Sequence, residues 1–225
     1  MNDLEPRHAG FFFQENLVHP ALTAHPAPKR VLIVGGADGG SAAQALKHPA
    51  IELHSRSGDE APAFLRETEQ RFDLIALDAD GPLAPPDGLD TPEFLRSCRL
   101  ALAPGGALAT PIGLPLVQPQ RVAELAQRLN GLFRLVRPYA LFVPLAGTLC
   151  ALAVCSDKLD PKSFTADEID RRIEQRRLPD LRFYNGEAHE GVFALPNYLR
   201  ELVNPPRLKL PMRGRRLDVV RGAAK

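Results

Sequence analysis

The 225 residues, 44% hydrophobic and 24% charged, have the composition of a globular protein and suffice for one sizeable domain with at most a small appendage. A formal net charge of +1 argues against a basic face for nucleic acid or anionic lipid and leaves small molecules as the default partners. No apolar run approaches the ~20 residues of a membrane span, and the opening M-N-D-L-E-P-R-H lacks the order of a secretory signal, so a soluble cytoplasmic protein without a membrane partner is expected.

Residues 1–29 read as an irregular segment in which the adjacent Phe11, Phe12 and Phe13 mark a core plug or the contact surface of a homodimer. The run R-V-L-I-V at 30–34 is apolar without alternation, as suits a strand buried on both faces of a parallel sheet. It breaks into Gly35-Gly36-Ala37-Asp38-Gly39-Gly40 and then into a helical stretch at 41–47. Strand, glycine turn and helix together are the context in which a glycine-rich loop counts as a signal. Residues 51–57 predict a strand, 60–68 a helix, and F-D-L-I-A-L at 72–77 a second apolar strand ending at Asp78. A helix at 91–102 is closed by P-G-G, followed by a strand at 107–110 and an amphipathic helix at 120–129. Two β-rich runs, 133–143 and 148–156, form an antiparallel pair at the sheet edge.

Repeated βα units with short loops imply an α/β fold built on a doubly wound, mostly parallel sheet. The 22 prolines fall mostly between periodic segments and suit stiff loops. Beyond Asp157 the chain turns helical and charged; Thr165 and Glu168 stand at capping-box spacing, and 186–203 give a second helix or a helix pair. Residues 30–204 therefore form the domain, and 205–225, basic and proline-bearing, predict a disordered tail. Cys98, Cys150 and Cys155 show neither metal-ligand spacing nor an even disulfide set and read as buried thiols of a reducing compartment. The six histidines show no metal-like clustering and read as solvated or satisfied, with His19 and His25 packed in loops beside prolines.

Three segments at strand ends are candidates for chemistry. In the first, Gly35, Gly36 and Gly39 allow close approach of a nucleoside, because no Cβ intrudes. Asp38 in the same loop would repel a pyrophosphate and attract a cation, which favours a sulfonium or amine ligand over a dinucleotide. In the second, Asp78 and Asp80 follow a buried strand, where a carboxylate can hold a cationic amine and accept its proton, or else cap the following turn. In the third, Asp59 of S-G-D-E either contacts the nucleoside's hydroxyl or amino donors or caps the following helix.

These residues resemble the polyamine aminopropyltransferases, the spermidine synthase group. L-V-H-P-A-L-T-A-H-P-A-P-K-R-V-L-I-V-G-G-A-D-G-G at 17–40, F-D-L-I-A-L-D-A-D-G-P-L-A-P-P-D-G-L at 72–89 and F-Y-N-G-E-A-H-E-G-V-F-A-L-P-N-Y-L-R-E-L at 183–202 are similar to three family signatures, in the family's order. The resemblance implies a Rossmann-like, class I methyltransferase-like domain with residues 1–29 as the remnant of an N-terminal domain. It also implies transfer of an aminopropyl group from decarboxylated S-adenosylmethionine, a co-substrate, to a polyamine such as putrescine, with no metal and no cofactor. Asp38 would hold the donor's cationic end, Asp78 would accept the proton, and Asp59 would lie in the segment contacting adenine.

Several positions depart from the family pattern. One βα unit is missing between Pro49 and Ser57, and with it the strand whose acid binds the donor's ribose; Asp59 or Glu60 is left to inherit that contact. Phe13 and Gln14 replace a tyrosine–histidine pair, and Gly81 stands for the second aspartate of the D-x-x-D-P motif. A catalytically inactive or weak homologue acting as a binding protein, and a methyltransferase using S-adenosylmethionine itself, remain alternatives at this point.

Overall fold

The computed structural model describes residues 10–78 and 88–204, with Leu145 described in its backbone only. Among the described residues six strands form one sheet: β1 (Arg30–Gly35), β2 (Glu52–Arg56), β3 (Phe72–Asp78), β4 (Leu102–Gly113), β5 (Leu135–Val143) and β6 (Thr148–Ser156). Their order across the sheet is β2-β1-β3-β4-β6-β5. The first four are parallel, and β6 pairs antiparallel with both β4 and β5, so the expected antiparallel edge pair is present. On the opposite side the sheet ends at β2, which pairs directly with β1.

Alternation along the strands sends side chains to two cores. Leu32, Val34, Ile75, Leu77 and Leu108 face α3 (Ala61–Glu67), α4 (Pro92–Ala101), α5 (Pro119–Leu132) and α8 (Asn197–Val203). Val31, Ile33, Leu74, Ala76 and Ala107 face α1 (Phe11–Ala24), α2 (Gly40–Leu46) and α7 (Gly186–Phe193). A further helix, α6 (Ala166–Arg176), begins with the capping box of Thr165 and Glu168 that the sequence predicts. Helices thus cover both faces, as in a doubly wound fold.

The N-terminal segment corrects the sequence reading. Within the stretch expected to be irregular, Phe11–Ala24 forms a 14-residue helix that contains Pro20. His19 accordingly lies in that helix and not in a loop. A proline in a helix interior removes the bond its amide would make to the carbonyl four residues earlier. That carbonyl belongs to Asn16, and it accepts instead from the hydroxyl of the fully buried Tyr139 at 2.7 Å. Glu15, also fully buried, accepts the backbone amides of Arg182, Phe183 and Tyr184 at 3.0, 2.9 and 2.9 Å. At the helix's C-terminal end, Arg172 donates to the carbonyls of Thr23 and Ala24, and Arg176 to those of Leu22 and His25. Cationic donors at a helix C-terminus satisfy orphan carbonyls and complement the helix dipole. Phe13 enters the core, Phe12 meets Phe183 edge-on, and Phe11 stacks on Phe12 beneath Arg182, so all three rings have partners within the chain.

Two histidines join α1 to α2. His19 donates through Nε2 to Gln44 Oε1 at 3.1 Å, which leaves Nδ1 to accept from His48 Nε2 at 3.0 Å. Burial is the main cause that lowers both pKa values, to about 4 for His19 and about 2 for His48.

Two outcomes are expected. Tyr139→Phe leaves the Asn16 carbonyl buried without its donor and costs about 1–3 kcal/mol in denaturant unfolding. Adding Pro20→Ala restores an amide for that carbonyl, and a double-mutant cycle should show the cost shrinking. The second concerns pH. The unfolded chain takes up protons at its histidines near pH 6.5, whereas folded His19 and His48 do so only near 4 and 2. Stability is therefore full above pH 6.5 and falls as pH drops from 6.5 toward 4. Thermal melts should show the decline before carboxylates begin to titrate, and His48→Leu should flatten it.

Candidate functional site

The site lies at the carboxyl ends of β1, β2 and β3, the edge where open α/β sheets bind ligands. In the register of β1 on β3, Gly35 sits beside Asp78. Gly36 has φ +65°, and a Cβ built on it would overlap the Asp78 carboxylate. The glycine is required twice, by its left-handed backbone and by the acid that fills its side-chain space. Asp78 itself is buried, 4% exposed. Alternation along β3 places it on the face of Leu74 and Ala76, the face that α1 and α2 cover.

Asp38 is on that same side. It is exposed, and its Oδ1 accepts the Gly40 amide at 2.9 Å while Oδ2 accepts from Gln14 Nε2 at 3.0 Å. The loop acid thus occupies, with its own charge, the helix-start amide that a phosphate would otherwise seek. The glutamine explains a second glycine: a Cβ on Gly40 would collide with the Gln14 side chain. By contrast Gly39, at φ +72°, faces open space and answers only a backbone requirement. Gln14 is the residue that sequence reasoning missed. Its side chain reaches the loop from a helix that the sequence did not reveal.

A cleft of about 370 Å³ opens between the glycine loop and the end of β2, lined by Gly35, Gly36, Ala37, Ser55, Arg56, Ser57, Gly58 and Glu60. Gly36 is common to this cleft and to the Asp78 contact. Ser57 and Glu60 bond reciprocally: the Ser57 amide donates to Glu60 Oε2 at 3.2 Å and the Glu60 amide to Ser57 Oγ at 3.3 Å. Glu60 is the residue that precedes α3, so the capping place considered for Asp59 falls one residue later. Asp59 is exposed and stands outside the cleft lining, one residue from it. Arg56 stacks 4.1 Å over the Phe64 ring and donates to the Ser55 carbonyl at 2.6 Å. Asp80, the remaining sequence candidate, and the basic tail lie outside the described residues.

The histidines do not reach the site. His19 and His48 bond each other, while His189 joins the Tyr184 hydroxyl at 2.7 Å and the Pro161 carbonyl at 2.8 Å. Cys98, Cys150 and Cys155 are buried free thiols whose pKa values burial raises. Among the described residues no helix is long and apolar enough to cross a membrane.

Residues 10–55 and 57–167 match the spermine/spermidine synthase domain. The chain is 36% identical to a polyamine aminopropyltransferase of Nitrosomonas europaea, covering 87% of this chain and 70% of that relative. It is 31% identical to polyamine aminopropyltransferase 2 of Hyperthermus butylicus, over 87% of this chain and 75% of the other. A spermidine synthase structure in complex with the transition state analogue AdoDATO superposes with a TM-score of 0.76 at 25% identity, covering 86% of this chain and 75% of that one. The Thermotoga maritima spermidine synthase shares the fold with a TM-score of 0.72 at 24% identity, over 86% and 74% of the two chains.

The glycines are expected to separate by cause. Gly39→Ala adds only left-handed strain, about 1–2 kcal/mol in denaturant unfolding. Gly36→Ala carries the same strain and also displaces the Asp78 carboxylate, so its loss should be clearly the larger.

Proposed function

Since the chain belongs to the spermine/spermidine synthase family, we propose that it transfers an aminopropyl group from decarboxylated S-adenosylmethionine to a polyamine acceptor such as putrescine, giving spermidine and methylthioadenosine. The observation that carries this reading to particular residues is the packing of the Asp78 carboxylate against Gly36, on the side of the sheet where Asp38 also stands.

Gly35, Gly36 and Gly39 form the backbone turn around the donor, whose nucleoside enters the cleft beside β2. Asp38, oriented by Gln14 and the Gly40 amide, faces the donor's cationic end. A carboxylate has about four acceptor positions, so these two bonds leave capacity for an ammonium. Asp59, beside the cleft, is assigned to the adenine end, and Asp80 to the amine. Asp78 holds the acceptor's ammonium and takes its proton. The neutral nitrogen then attacks the carbon bonded to sulfur. The C–N bond forms as the C–S bond breaks, and the electron pair goes to sulfur, which leaves as the neutral thioether. Both substrates carry positive charge and would repel, so acids on both sides of the reacting carbon lower the cost of bringing them together. Buried free thiols at Cys98, Cys150 and Cys155 support a reducing cytoplasmic setting.

The test combines turnover with binding. Wild-type protein should form spermidine from decarboxylated donor and putrescine, and Asp78→Asn should lower turnover about a hundred- to ten-thousand-fold, the usual share of a general base. Methylthioadenosine should still raise the melting temperature of that variant, since the nucleoside does not need the base. Asp38→Asn should weaken the cationic donor about tenfold and spare methylthioadenosine, which lacks the aminopropyl charge. Full activity in Asp78→Asn, or no product with any polyamine acceptor in the wild type, would count against the assignment.

A further inference from the structure

We propose that Leu116 and Val117 form an apolar wall for the hydrocarbon chain of the acceptor amine, so that long-chain amines are used in preference to putrescine. The assignment rests on the transfer reading above and extends it to the class of acceptor. The direction from which the acceptor arrives follows from the chemistry. A nitrogen that displaces a thioether attacks the carbon from the side opposite the breaking C–S bond. The nucleoside that carries the sulfur enters on the β2 side of the glycine loop. The amine therefore comes from the other side, over the carboxyl end of β4, the strand next to β3.

In the register of β3 on β4, Ala76 lies opposite Ala109, and two residues further on Asp78 and Pro111 come level. From there the chain reads P-I-G-L-P-L-V, 111–117, without a polar side chain. Ile112 and Leu114 are buried, and Leu114 belongs to the cluster on the Asp78 face. Leu116 and Val117 differ, standing 65% and 62% exposed. Scattered single exposures need no explanation, but two adjacent large apolar side chains at the ligand-binding edge of the sheet do. Their position is also held. A bulge in the β4–β6 ladder between Pro111 and Gly113, where Gly113 takes φ +116°, re-aims the chain. The Leu114 carbonyl then accepts the amides of Val117 and Gln118 at 3.0 and 2.8 Å. Leu114 is three residues past Pro111, about 10 Å along an extended strand. A four-carbon diamine with its reacting nitrogen at Asp78 ends short of Leu116 and Val117. A longer chain reaches them, and its far ammonium emerges into water beyond the turn, as the tips of long cationic side chains do.

The experiment measures kcat/KM for aminopropyl transfer to putrescine and to its six-carbon and eight-carbon homologues. With wild-type protein the value should rise with chain length, about two- to fourfold for each methylene that reaches the wall, fourfold being full burial. Leu116→Ser combined with Val117→Ser should flatten the series and bring the ratio of the eight-carbon to the four-carbon amine toward one. Because both side chains are exposed, this variant should melt as the wild type does, and methylthioadenosine should still stabilise it. Leu100→Ser removes an equally exposed apolar residue near the C-terminal end of α4, where β4 begins, and should leave the series as in the wild type. A flat or falling series in active wild-type protein overturns the wall alone. So does a rise that persists in the double variant, or one that Leu100→Ser also removes. No product with any amine overturns the wall together with the transfer reading.

Discussion

Helix α1 is the part on which the remainder of the molecule depends. It is buried on nearly every side, yet several of its polar groups are engaged with distant segments. Glu15 holds the backbone of residues 182–184, His19 joins Gln44 and His48, the Asn16 carbonyl meets Tyr139, and two arginines of α6 close its C-terminal carbonyls. Buried polar groups are tolerated only where such partners exist, and a partial set would be worse than none. This explains why the first and last of the three sequence blocks resemble the family together. The L-V-H-P stretch of the first supplies part of the helix and its glycine stretch leads into α2, whose Gln44 completes the link, while the Y-N-G-E-A-H block supplies the Tyr184 amide and the Tyr184–His189 pair packed beside the helix. Much of what marks the family is core architecture. The helix also delivers Gln14 to the glycine loop, so the same packing that closes one face of the sheet orients Asp38.

Exposure divides the labour among the acids. Asp38 is open to solvent, where a charge pair at 4 Å is worth only ~1 kcal/mol in a medium like water, and its contribution depends on being pointed correctly. Gln14 and the Gly40 amide do that. Asp78 sits 4% exposed against Gly36, where fields are less screened and position is fixed by β3. In the proposed reaction, capture of the donor belongs to the exposed acid and proton transfer to the buried one.

The sheet was largely readable in the sequence because its strands have one dominant cause. R-V-L-I-V and F-D-L-I-A-L are buried on both faces and so carry unbroken apolar runs bounded by turns. The antiparallel pair and the capping box at Thr165 were equally local. α1 was not readable, for two reasons. A helix buried all round shows no amphipathic stripe, and Pro20 signals a break whose remedy, Tyr139, lies 123 residues along the chain from Asn16. At the site, the glycines and Asp78 are placed by their own strands, and so their adjacency followed from topology. The Gln14–Asp38 bond spans 24 residues and depends on α1 being a helix, so it was hidden with it. The neighbours Asp59 and Glu60 could not be told apart, because a single residue of offset at the start of α3 decides which one meets the cleft.

The β2 edge of the sheet has a consequence for how a nucleoside would be held. β2 is the outermost strand, and its surface is charged, with Glu52 accepting from both Arg30 and His54 at 3.0 Å. Charges on an edge strand discourage further pairing and keep the sheet from growing. Among the described residues, the cleft at the end of this strand is lined on the β2 side by Ser55, Arg56, which stacks on Phe64, and the Ser57–Glu60 turn. An adenosyl group there buries limited apolar area, at about 25 cal/mol per Å². A single hydrogen bond to a charged group, about 1.5–3 kcal/mol, equals the burial of roughly 60–120 Å² on that scale. In a marginal cleft of this kind, affinity and selectivity concentrate in a few fixed polar contacts, and a turn locked by reciprocal serine–glutamate bonds is the element of the cleft wall best suited to supply them.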